Sequence, residues 1–71
     1  MRDQYEMVER KAEVFLDGRL EFFRAAKTLP RQLTEFWRRE VRAWILRRFR
    51  PRRGTHVEVW VDGDPELDYI V

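Results

Sequence analysis

Residues 13–23 read Glu13-Val-Phe-Leu-Asp-Gly-Arg-Leu-Glu-Phe-Phe23, and the fold turns on whether this stretch is two strands or one piece of helix. As strands, Asp17-Gly18 lies between apolar β-formers, and glycine supplies the left-handed backbone of a hairpin turn at no steric cost. A three-residue loop over Asp17, Gly18 and Arg19 then sets Leu16 opposite Leu20 and Val14 opposite Phe22. One face collects Val8, Ala12, Val14, Leu16, Leu20, Phe22 and Ala26, with Arg10 and Arg24 as exceptions. As a single amphipathic helix over residues 2 to 28, the same region gathers Glu6, Glu9, Arg10, Glu13, Asp17, Glu21 and Arg24 into one polar arc. The two periodicities nearly tie. A glycine inside a helix costs about 1 kcal/mol relative to alanine, which favours the hairpin.

Working outward, the motif recurs as Glu58-Val-Trp-Val-Asp-Gly-Asp-Pro-Glu-Leu-Asp-Tyr-Ile70. Both copies read Glu, Val, aromatic, aliphatic, Asp-Gly, and the second resists a helical reading. Val57, Val59 and Val61 alternate with His56, Glu58 and Trp60, and Leu67, Tyr69 and Val71 alternate in a return strand after the Asp62-Gly63-Asp64 turn. Pro65 belongs to the loop or the strand start, because it cannot donate to a ladder. Two matches are too few for a solenoid, so the similarity is one local structure used twice.

Between the copies, residues 30 to 50 have the spacing of a helix. Pro30 suits a first helical position behind Thr28 or Leu29, and Pro51 with Gly54 stops the helix. Leu33, Trp37, Val41, Trp44 and Arg48 form the expected core stripe, with Arg31, Glu35, Arg38, Arg39, Arg42, Leu46 and Phe49 on the opposite side. The predicted fold is α+β, a ββαββ domain spanning residues 1–71 with an arginine-rich amphipathic helix on an antiparallel sheet; the rival is ααββ with residues 2–28 helical.

A chain of 71 residues buries too little surface to be robust alone, and with no cysteine and one histidine it cannot recruit a disulfide. Association into a homo-oligomer is the expected remedy. The longest apolar run is four residues, Ala43 to Leu46, so no membrane span and no signal peptide are expected, and the absence of cysteine fits a cytoplasmic location.

Charge is unevenly distributed. Residues 1–30 sum to zero, residues 31–53 carry nine arginines against Glu35 and Glu40, and residues 54–71 carry Glu58, Asp62, Asp64, Glu66 and Asp68 with no Lys or Arg. Such asymmetry marks either a polyanionic partner or two segments of the chain that attract each other.

Catalytic chemistry is hard to assemble. The chain lacks serine and cysteine, its three glycines stand far apart, and His56 sits on a predicted strand, so neither an activated nucleophile nor a phosphate loop is available. Zinc sites built from cysteine and histidine are excluded. Asp62, Asp64, Glu66 and Asp68 resemble a calcium loop only loosely, lacking its glycine at position six and its distal glutamate. No enzyme, cofactor or metal is therefore expected.

The arginine helix stands above this background. Guanidinium groups match phosphate oxygens bidentately, and Arg31, Arg38, Arg39, Arg42, Arg50, Arg52 and Arg53 are the candidate contacts to a nucleic-acid backbone, without preference for sequence, in an accessory or regulatory role. Leu46 and Phe49 among these arginines suggest the alternative: a protein-interaction module or inhibitor, of the kind phages and mobile elements encode, using the helix ridge or a strand edge. A membrane-surface helix over residues 36–49 competes poorly, because the same apolar stripe is needed for the core. A plain solvated helix face, neutralised by the acidic C-terminal hairpin, is the remaining reading.

Overall fold

The computed structural model describes residues 6–71, and for residues 22–27 their backbone alone. Residues 2–5 of the helical reading, and the facing of Phe22, Arg24 and Ala26, therefore lie outside the described part. The elements are β1 (Met7–Leu16), β2 (Arg19–Pro30), α1 (Glu35–Phe49), β3 (His56–Val61) and β4 (Asp64–Ile70). The strands form one antiparallel sheet in the order β2-β1-β3-β4 with α1 packed on one face, so the fold is ββαββ, α+β, and residues 7–30 are a hairpin. No helix among the described residues is long and apolar enough to cross a membrane.

The two hairpins are copies in detail. Asp17-Gly18 and Asp62-Gly63 are two-residue turns, with φ of 54° and 79° in the first and 53° and 82° in the second, the positive pair a type I′ turn requires. The expected three-residue loop is therefore corrected: Leu16 pairs with Arg19, and Leu20 pairs with Phe15. Leu20 consequently lies half exposed on the face away from α1. A bulge leaving Glu21 unpaired restores Val14 opposite Phe22, and the second hairpin bulges at the equivalent Glu66 to set Val59 opposite Leu67.

Central strands β1 and β3 join the copies. Val14 pairs with Val59, its own equivalent, so the ladder has a local two-fold through that pair. Each turn aspartate closes one end of this ladder in the same way. The Asp17 amide donates to the His56 carbonyl (2.7 Å) while its carboxylate accepts from the His56 amide (2.9 Å). Asp62 does the same with Lys11, at 2.9 and 3.1 Å.

Pairing puts Val14, Val57, Val59, Val61 and Leu67 on one face, where they meet Leu29, Leu33 and the fully buried Ile45. The helix starts five residues later than its proline suggested. Thr34 is the N-cap, its hydroxyl accepting from the Trp37 amide (3.4 Å), whereas Pro30 ends β2, where an absent N–H costs nothing. Arg50 ends the helix in the left-handed conformation (φ 47°) just before Pro51. The core stripe is also rotated from the expected one: Ile45 faces inward and Phe49 packs beside it, while Arg48 is exposed.

Arg10, the exception on the apolar face of β1, has a structural role. Its Nη1 donates to the carbonyls of Pro30 (2.8 Å) and Arg31 (2.9 Å), and its Nε donates to Asp62 Oδ2 (2.9 Å). One guanidinium thus ties β1 to the end of β2 and to the turn of the other hairpin. Replacing Arg10 with leucine is expected to cost about 1–3 kcal/mol in urea unfolding, through loss of these charge-assisted hydrogen bonds. Ile45→Ala is expected to cost about 2–4 kcal/mol through the cavity it opens, and unchanged unfolding midpoints would contradict both assignments.

Candidate nucleic-acid interface

Seven arginines were candidates, and the fold divides them. Arg31 donates to Glu6 Oε1 from Nε (3.2 Å) and Nη2 (3.0 Å), at the base of the β1–β2 hairpin. Arg38 reaches β4, where Nη2 lies 3.6 Å from Glu66 Oε1 and Nε donates to the Glu66 carbonyl (3.4 Å). Arg42 lies half-buried over the Tyr69 ring, its Cζ 5.4 Å from the centroid. These three are engaged within the fold. Arg38 and Arg42 both join α1 to β4, Arg38 by attraction to an acid of the hairpin and Arg42 by its contact with the Tyr69 ring.

Arg39, Arg50, Arg52 and Arg53 are exposed, and among the described residues their side chains form no ion pair or hydrogen bond. Arg47 belongs with them, although the sequence did not single it out; its spacing from Arg39 and Arg50 was the available signal. Leu46 is exposed on the same ridge, whereas Phe49 turns under the helix, edge-on to Trp44 with ring centroids 5.9 Å apart. Phe36, also missed, stands 58% exposed one turn before Arg39. From Phe36 to Arg50 the ridge runs about 21 Å at the rise of an α-helix, and Arg52 and Arg53 follow, exposed, in the turn before β3. Arg47 and Arg48 in the last turn also suit the negative end of the helix dipole.

The sheet face turned away from α1 has a different character. His56, Glu58 and Trp60 alternate on it along β3, and Trp60 Nε1 donates to Glu58 Oε1 (3.1 Å). His56 Nε2 lies 2.5 Å from Asp68 Oδ1, a contact that raises the imidazole above its ordinary pKa; loss of hydration opposes it, and the charges of Asp68, Glu58 and Asp17 add to it. Asp62 is shifted the other way, its carboxylate held below the usual range by the Arg10 hydrogen bond and the Lys11 amide. Burial raises the Tyr69 phenol, opposed by the charge of Arg42.

Comparison of the chain with protein families, with curated proteins and with solved structures finds no match in any of the three.

His56 gains a partner on folding, so its contribution to stability is complete below the ordinary value of 6.5 and is lost as pH rises through the higher folded value. Unfolding free energies followed from about pH 5 to about pH 9 should decline across that window in the native chain. The decline should be missing in His56→Gln. Asp62 works in the acid range, stabilising above its ordinary 3.8 and ceasing to do so as pH falls through its lower folded value.

Proposed function

We propose that this chain is a non-enzymatic binding protein that contacts a nucleic-acid backbone through Arg39, Arg47, Arg50, Arg52 and Arg53. The supporting observation is the division among the arginines: Arg31, Arg38 and Arg42 have partners within the fold, while Arg39, Arg47 and Arg50 on the ridge and Arg52 and Arg53 in the turn after it are exposed and have none among the described residues. Five unneutralised guanidinium groups in a row repel one another, and a polyanion relieves that repulsion while releasing its own counterions. The contact is to phosphates and carries no reading of base sequence. The acidic hairpin is fastened to the flank of α1 by Arg38, so it leaves the outer ridge open.

A second reading rests on Phe36 and Leu46, two large apolar side chains exposed on the same ridge. Aromatic residues and arginine are enriched together at protein interfaces, which makes Phe36 the centre of such a patch. Under that reading the chain is an interaction module or inhibitor. An edge strand is the less suitable surface on the β4 side, because Asp64, Pro65 and Asp68 discourage strand addition there.

Affinity for a generic duplex and for a single strand, measured against rising salt, distinguishes the two readings. Phosphate contact predicts a linear log–log fall with a slope of about −0.9 per contact on duplex and about −0.7 on single strand. The triple replacement Arg39→Gln, Arg50→Gln, Arg52→Gln should flatten that slope by two to three contacts. Arg38→Gln should keep the slope and lose under about 1 kcal/mol of stability, since its ion pair is partly exposed. Absence of binding at low salt would overturn the nucleic-acid reading. A stoichiometric complex abolished by Phe36→Ser and indifferent to salt would establish the protein-partner reading instead.

A further inference from the structure

The outer face of the β3–β4 hairpin carries His56 and Glu58 two residues apart on one strand, and Asp68 directly across from Glu58 on the other. One ligand-capable atom from each of the three lies within 4.8 Å of the other two. His56 presents Nε2 to Asp68 at 2.5 Å and Nδ1 to Glu58 at 3.6 Å. We propose that His56, Glu58 and Asp68 form a binding site for a divalent transition-metal ion of the zinc class, with water completing the coordination shell.

Three observations carry this. The first is a broken local rule. Carboxylates directly opposite each other on paired strands repel and are normally destabilising, yet Glu58 and Asp68 occupy such a pair. Violations of this kind gather at functional sites. The second is an internal control. The first hairpin has the same turn, the same bulge and equivalent pairing, and its corresponding positions are Lys11, Glu13 and Phe23. Only the second copy assembles a donor set, and the first hairpin adopts the same turn, bulge and pairing with other residue types at these positions.

The third observation is the chemistry of the donors. An imidazole with two carboxylates suits zinc, copper, nickel or ferrous iron, whereas magnesium and calcium favour sites made of oxygen alone. With a neutral imidazole the three side chains leave two negative charges, and Asp17 adds a third nearby from the β1–β2 turn. A divalent cation neutralises that excess, with a proton on His56 as its competitor. The ladder between β3 and β4 fixes the three Cα positions, and the Asp17 clamp fixes the backbone of His56, so little ordering is needed on binding. The site lies on the sheet face opposite α1 and is independent of the nucleic-acid reading.

Titration of the full chain with zinc chloride in a calorimeter, in buffer containing millimolar magnesium near neutral pH, tests the site. Saturable binding is expected, weakening as the pH is lowered and His56 is protonated. His56→Gln and Asp68→Asn should each lower the affinity about tenfold or more, while Asp64→Asn, on the same hairpin, should leave it unchanged. In the native chain, the zinc-induced shift of imidazole carbon-bound protons provides a second reading that does not depend on a variant folding. No saturable heat at millimolar zinc, native affinity in His56→Gln, or displacement of zinc by equimolar magnesium would each overturn the proposal.

Discussion

Everything in this molecule depends on the ladder between β1 and β3, and on the two aspartates that close its ends. Each hairpin is a local object, complete with its type I′ turn and its bulge, but a two-stranded hairpin in water is only marginally stable. Joining the two buries Val14 against Val59 at the centre and creates the apolar face that α1 covers. Asp17 and Asp62 make the join specific. Each accepts the left-handed conformation that frees its amide and carboxylate to engage the opposite strand, so a slip of one residue would break four hydrogen bonds and turn the valines outward. Arg10 then ties the Asp62 end to the exit of β2, which directs the chain into the helix.

Charge is sorted by this framework. Arg10, Arg31, Arg38 and Arg42 lie where the sheet, the hairpin base and β4 offer them carbonyls, carboxylates and an aromatic face. Among the described residues, Arg39, Arg47, Arg50, Arg52 and Arg53, on the far side of α1 and in the following turn, meet none of these. One basic segment in the sequence thus becomes two populations in space, one cohesive and one outward-facing. The acidic segment divides likewise: Glu66 turns toward α1, Asp62 toward Arg10, and Glu58 and Asp68 gather around His56 on the opposite face.

Much of this was legible from residues. The doubled Asp-Gly motif, the alternation of Val57, Val59 and Val61, and the helical spacing of Trp37, Val41 and Trp44 were enough for ββαββ. Loop length was not, because a two-residue turn with a compensating bulge and a three-residue loop leave Val14 opposite Phe22 in either case; only Leu20 distinguishes them. The helix start was misplaced because Pro30 satisfies a strand end as well as a first helical turn. The inner stripe was set one position off because Arg48 and Phe49 both fit helical periodicity, and packing against the sheet chose the aromatic ring.

What the sequence by itself determined is the set of elements, since turn chemistry and apolar period act over a few neighbouring residues and depend on nothing distant. The tertiary structure alone decided which arginines face solvent, why Arg10 occupies an apolar face, and that His56, Glu58 and Asp68 meet. Each of those facts joins residues from different elements, with Arg10 and Asp62 on separate hairpins and Arg38 and Glu66 on helix and strand. The relations among them follow from strand order, from register and from the seat of the helix on the sheet, of which turn chemistry fixes only the register within each hairpin.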